Sequence, residues 1–259
     1  MPVRPSIAAV VLGALLAGAG CGDKAPPFHK VDGAWHYRDV ALRDVDAGSF
    51  AVLDAHHAKD ARRVYYGDTW RDGREYYSIA HARVKLVDGA DPATFRVLRS
   101  GYAKDASNVF FEGVRFAVRD AATFELLDYG FARDRIAGYY HQAELAGSHG
   151  PSLVPLDTHH GRDRSHAWYA TIETTDARSS VVARRVNDVD AASFEVLGSG
   201  YARDRSRVYF RGGAVTQAQR DSFVVLSPAV DDADARDARS RYREGERIGA
   251  AAAEDAGKR

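Results

Sequence analysis

Two short patterns of apolar and polar positions alternate along most of this chain, always in the same order. The first runs from an acidic or small residue through Ser or Thr to an aromatic and a Val/Leu pair. It occurs as Asp46 to Leu53, Asp91 to Leu98, Asp120 to Leu127, Asp190 to Leu197 and, more loosely, Asp221 to Leu226. The second is an aromatic or His, a small residue, Lys or Arg, Asp, four variable positions and two aromatics. Its copies are centred on Asp60, Asp105, Asp134, Asp163 and Asp204, followed by Tyr65-Tyr66, Phe110-Phe111, Tyr139-Tyr140, Trp168-Tyr169 and Tyr209-Phe210. Phe50 to Asp60, Phe95 to Asp105, Phe124 to Asp134 and Phe194 to Asp204 are each 10 residues apart, and Leu153 takes the aromatic place before Asp163. The step between copies is 29 residues, or 45 and 41 where 16 and 12 residues are inserted. The first insertion carries a truncated copy, Trp70-Arg71-Asp72 with Tyr76-Tyr77. Such a constant register defines an internal repeat.

The positions predict elements. Asp91-Pro92-Ala93-Thr94 reads as a cap with proline at the first helical place, so a single helical turn is expected before each Phe. Phe194 to Leu197 and Val208 to Phe210 are short, aromatic or β-branched and bounded by turn residues, and read as strands. Gly67, Gly113 and Gly212-Gly213 follow the paired aromatics, where a tight turn needs positive φ. A third strand, such as Val114 to Val118, leads to the next cap. Adjacent aromatics on a strand point to opposite faces, so one of each pair is expected in the core. The other is expected to cover the second face or reach solvent, which makes Tyr66, Phe111, Tyr140, Tyr169 and Phe210 candidate binding aromatics. The recurrent Asp60, Asp105, Asp134, Asp163 and Asp204 are expected to accept backbone N–H bonds in the turn. On that reading, replacing Asp105 or Asp204 with Ala costs roughly 1–2 kcal/mol. The fold class is therefore mainly β: tandem short antiparallel strands with single helical turns, stacked as an array over residues 34–228.

The Lys/Arg-Asp, four-residue gap and double aromatic resemble the DKNYY family of bacterial exported proteins. The resemblance covers about Trp35 to Leu226. The Asp is kept throughout, the asparagine survives only as Asn108, and Phe or Trp often replaces Tyr. The resemblance implies architecture and export, and no activity.

The two ends differ from this body. Arg4 precedes thirteen apolar residues, Ile7 to Ala19, then Gly20 and Cys21. As a helix that run spans roughly 20 Å, short of the roughly 30 Å hydrocarbon core, so it reads as an export signal over residues 1–20. Gly18-Ala19-Gly20-Cys21 resembles a lipobox, although the usual leucine three places before the cysteine is Gly18 here. The resemblance implies lipidation of Cys21, a linker over 21–33 and an outer-membrane lipoprotein held by its acyl chains, or a secreted protein if Cys21 stays free. Cys21 is the only cysteine, so no internal disulfide forms. From Ala229 to the end, Asp231, Asp232, Asp234, Arg236, Asp237, Arg239, Arg241 and Arg243 mix with alanines, acids near the start and arginines later. That order suits a solvated helix with its dipole complemented, or a disordered tail.

Composition narrows the functional classes. Hydrophobic residues make up 45% of the 259, enough for a core, and 36 Lys plus Arg balance 36 Asp plus Glu. The balance removes the electrostatic argument for a nucleic-acid partner. His56-His57 and His159-His160 are adjacent pairs that face opposite ways on a strand and could share an ion only on a loop. Each repeated Asp follows a basic residue, unlike a calcium site. There is no Gly-x-Ser-x-Gly, and Asp232 with Asp234 is a weak carboxylate pair. No catalytic residue, metal or cofactor is expected. Two functions remain: a non-catalytic binding or scaffold module for envelope protein or glycan, or a hydrolase-like enzyme on envelope polymers with a site between units. Grouping of His149, His159, His160 and His166 near carboxylates would favour the enzyme.

Overall fold

The computed structural model describes residues 26–71, 80–175 and 178–251. The proposed signal, Cys21 and most of the truncated copy at Trp70 to Tyr77 lie outside them. Among the described residues seven small antiparallel sheets follow one another, each a meander of consecutive strands. Sheet 1 has three strands, β1 (Phe28–Val31), β2 (Ala34–Tyr37) and β3 (Val40–Ala41). Sheet 2 has four, β4 (Ala51–Val52), β5 (His57–Lys59), β6 (Val64–Trp70) and β7 (His81–Leu86), and every later sheet repeats that order. The helical turns are single 3-10 turns, at Gly150–Ser152, Ala191–Ser193 and Arg220–Ser222.

Each unit holds one strand more than the patterns suggest. The opening aromatic, small and basic triplet is itself a strand, as in Tyr102–Lys104, paired on one side with Arg96–Val97 and on the other with Val109–Phe111. The repeated Asp then closes the turn between second and third strands, and Glu112-Gly113 closes the next turn with φ of 49° and 70°. Positive φ at both central residues is what a two-residue hairpin turn requires. Gly113 is also hemmed in from outside: an added Cβ would stand 2.6 Å from the Tyr66 Cβ of the preceding sheet.

Both insertions lengthen the hairpin between the third and fourth strands. In unit 2 these are β6 and β7. In unit 5 they are Ala167–Thr175 and Arg178–Arg185, paired over eight residues. Their bases are buried and their outer ends are exposed.

Among the described residues the buried apolar side chains gather in six clusters, each shared by two consecutive sheets. Tyr66 of unit 2 packs with Phe95, Ala103 and Phe110 of unit 3, and Tyr102 of unit 3 packs with Phe124 and Tyr139 of unit 4. A chain of rings runs through these cores: Tyr102 meets Phe124 at 6.5 Å across a unit boundary, and Phe124 meets Tyr139 at 5.8 Å within the unit. Tyr201, Phe223 and Tyr242 repeat it at 5.3 and 5.4 Å. No unit buries its two faces alone; neighbours do it for each other, which is the physics of a stacked repeat.

The structure corrects the aromatic expectation. Adjacent rings do face opposite ways, but in a stacked array both faces are cores. The first ring of each pair packs on the preceding sheet, and its neighbour packs toward the following one. Tyr66, Tyr140 and Tyr169 are therefore buried, and Phe111 and Phe210 half-buried.

The ends are corrected as well. In place of a helix or disordered tail after residue 229, four strands build a seventh sheet: Val224–Val230, Ala233–Arg236, Ser240–Arg243 and Glu246–Ala250. Ala233 and Ala235 of its second strand face inward and are fully buried, so small residues there mark a strand packed closely against its neighbour. At the other end the strand Phe28–Val31 lies within the stretch read as linker.

Candidate functional site

The repeat signature is spent on one arrangement, built five more times after its first appearance in unit 2. In unit 6 the buried Asp204 carboxylate accepts five hydrogen bonds, one from the Ser206 hydroxyl at 3.0 Å and four that recur in other units. Its Oδ1 takes the N–H groups of Ser206 and Arg207, at 2.7 and 2.8 Å, and so closes its own turn. Its Oδ2 takes the Asp190 N–H, fourteen residues back, and the Tyr209 hydroxyl, both at 2.8 Å. Asp134 does the same with Ile136, Ala137, Asp120 and Tyr139, and Asp60 with Arg62, Arg63, Asp46 and Tyr65. Asp105 and Asp163 keep the three backbone donors but have Phe110 and Trp168 where the tyrosine stands. In the seventh unit Asp237 accepts from Gln219, Arg239, Ser240 and Tyr242.

A second link runs the other way. The cap aspartate at the turn holds a Ser or Thr hydroxyl, as Asp120 Oδ2 holds Thr123 Oγ1 at 2.7 Å. That hydroxyl oxygen accepts the N–H of the residue after the hub, Arg135, at 3.0 Å. Turn and loop thus satisfy each other's amides; where such an amide is buried, leaving it unpaired would cost about 1–3 kcal/mol.

Charge follows from this geometry. Burial works to raise the Asp204 carboxyl, but hydrogen bonds from the amides of Asp190 and Ser206, the Tyr209 hydroxyl and the Arg207 amide outweigh it and hold the group down to about 2. The carboxyls of Asp60, Asp105, Asp134 and Asp237 are held low by the same balance. Burial, and then the bond to Asp60, push the Tyr65 hydroxyl up to about 12.

The basic residue before the hub acts across the unit boundary. Lys104 Nζ donates to three carbonyls of the next unit's turn, Ala121, Ala122 and Phe124, at 2.7, 2.9 and 2.9 Å. Lys59 reaches the Pro92 carbonyl, Arg133 the Pro151 carbonyl and Arg162 the Ala191 carbonyl. Sequence reasoning missed this role, because the partner carbonyls lie 17 to 33 residues away and carry no side-chain signal.

The histidines are also occupied. His57 and His160 take the opening aromatic place in units 2 and 5, the two with long hairpins. In each, Nδ1 lies 3.0 Å from a carboxylate, Asp54 or Asp157. Their neighbours His56 and His159 meet the Gly67 and Ala170 carbonyls at 2.9 and 3.1 Å, on the first residues beyond the short-hairpin length. The repeated Asp-x-His-His thus bonds the base of each long hairpin. His57 is fully buried between Tyr66 and Phe95, and among the described residues its Nε2 has no partner. Burial lowers its proton affinity, against the pull of Asp54. An unfolded His57 gains a proton near 6.5. Its stabilising share is therefore expected to fall as pH drops through that value toward the lower folded one. His57→Phe, the aromatic standing at Phe131, is expected to flatten that part of the curve; thermal melts of both chains from pH 7.5 to 5 measure it.

The histidine grouping that would favour an enzyme does not assemble. His149 and His166 flank Asp163 at one end of the strand His160–Arg162, whereas His159 and His160 gather at Asp157 beyond its other end. Asp163 Oδ1 is taken by the amides of Ser165 and His166, and His166 Nδ1 stands 3.7 Å from it, outside hydrogen-bond range. Among the described residues no three of His, Cys, Asp and Glu come together to hold a metal ion. Asp234 is taken by the Tyr201 hydroxyl and the Glu244 amide. Recesses of about 340 and 420 Å³ open between units 1 and 2 and between unit 5 and the connection that leaves it. Arg43, Asp44, Arg63 and Lys85 line the first, and Ser165, His166, Arg185 and Asp188 the second.

Fold and hubs together define a tandem β-meander repeat array. Residues 177–254, from the fourth strand of unit 5 through unit 7, match the DKNYY family and form a domain of it. No curated protein and no solved structure matches the chain.

Proposed function

We propose that the chain is a non-catalytic binding or scaffold module of the cell envelope, anchored through lipid on Cys21. The observation that carries the reading is the full employment of the repeat signature. Hub aspartates, turn hydroxyls, basic links and stacked rings are all engaged in building the array. What varies between units is the surface, above all the two long hairpins, whose outer ends expose Trp70 and Ile172. A rigid stack that carries variable projections is suited to holding partners.

Photo-crosslinkers placed at Trp70 and Ile172 in cells should trap discrete envelope proteins or glycans. Turnover of an envelope polymer by the purified chain, lost in His166→Ala, would overturn the reading in favour of an enzyme. For the anchor, Cys21→Ser is expected to move the protein from the membrane pellet to the soluble fraction; retention in the pellet would contradict lipid attachment.

A further inference from the structure

Sheet 1 differs from the other six at one edge. Among the described residues its first strand, β1, is an edge, whereas the equivalent strand of every other sheet is covered by a preceding strand. The alignment of units is fixed by pairing: Phe28 faces Tyr37 as Phe131 faces Tyr140, so Lys30 stands where Arg133 stands. In an antiparallel ladder alternate residues turn their backbone groups to opposite sides. Arg133 pairs outward with Glu125, and the Phe131 carbonyl accepts the Leu127 N–H at 2.9 Å. By the same register the N–H and C=O of Lys30 and the C=O of Phe28 point to the open side.

The complete units also show what fits there. In units 4 and 6 the covering segments are Phe124-Glu125-Leu126-Leu127 and Phe194-Glu195-Val196-Leu197. In both, the glutamate pairs across the strands with the basic residue, Arg133 at 2.6 Å and Arg203 at 2.5 Å. Lys30 offers the same cationic partner. We propose that the open edge of β1 receives an extended segment of a partner protein, antiparallel to β1, of the kind aromatic-Glu-aliphatic-Leu. This rests on the binding-module reading above and gives its partner a chemistry. Backbone pairing supplies the affinity, and the glutamate opposite Lys30 sets the register.

The test is a fluorescein-labelled peptide of residues 120–128, titrated into the purified chain by anisotropy. Saturable binding is expected, weakened at least tenfold in Lys30→Pro, which removes an outward donor while leaving the inward bonds of His29 and Val31 to β2. Should that variant fail to fold, a charge exchange replaces it: the Glu125→Lys peptide is expected to bind the natural chain poorly and Lys30→Glu well. Absence of saturable binding, or binding indifferent to both substitutions, overturns the inference. So does hydrogen-exchange protection of the Lys30 amide before peptide is added, since the edge would then be filled by the chain's own residues ahead of Phe28 or by a second copy, which gel filtration separates. Crosslinks at the hairpins with no peptide binding would sink this inference alone; peptide binding without any trapped envelope partner would sink the wider reading.

Discussion

Replacing Asp204 with Ala is expected to lower the free energy of unfolding by about 3–5 kcal/mol, enough to unfold many single domains at physiological temperature. The carboxylate is fully buried and accepts three amides and two hydroxyls. Bonds to a charged acceptor are the stronger kind, and removing it strands every donor at once. The 1–2 kcal/mol read from the sequence counted a turn aspartate alone; the bonds to Asp190 and Tyr209, which tie the turn to the cap and to the core, raise it. Denaturant melts of the purified variant measure the loss. Phe110 stands where Tyr209 does, so Asp105→Ala strands fewer hydroxyls and is expected to cost less than Asp204→Ala.

The same group fixes an acid limit. With its folded value near 2 and an unfolded value near 3.9, Asp204 contributes fully above the unfolded value. That contribution, about 2 kcal/mol, is lost as pH falls through 4 toward 2. Four other hub carboxyls shift in the same direction, so acid unfolding should be steep in this window, and Asp204→Asn should make it shallower.

The repeat was legible because its spacing is held by covalent geometry: ten residues from turn Phe to hub Asp are what one short strand, a turn and a second strand consume. It went unread at both ends, where that spacing or those residues change. In unit 7 the turn residue Phe223 precedes Asp237 by fourteen, Gln219 stands in the cap place and Asp234 in the aromatic place. Gln219 and Asp237 still make the amide link, now eighteen residues apart. In unit 1 Val31 replaces the hub, and Asp32-Gly33, with φ of 49° and 84°, turns the hairpin by backbone conformation alone. The outer aromatics were misjudged for a different reason. Alternation along a strand tells which residues face apart, and only stacking tells that both sides are interior. Lys104 is the extreme case: nothing local distinguishes it from a solvated lysine, and only the folded array brings it to its three carbonyls.

That lysine carries the second large expectation. Lys104→Met keeps the length of the stem and removes three donors from the carbonyls of Ala121, Ala122 and Phe124, two of the three bonds being buried. The loss is expected at about 2–4 kcal/mol. Because the bonds join units 3 and 4, it should appear as weakened coupling between them. Hydrogen exchange resolved by residue should show the amides of the unit 4 turn, such as Phe124, opening at lower free energy, with unit 7 unchanged. Lys104→Arg is the control, since Arg133 and Arg162 serve the same carbonyls in the next two units; it should restore most of the loss. If Met and Arg variants melt together with the natural chain, the basic residue is a surface charge, and the stack is held by its rings alone.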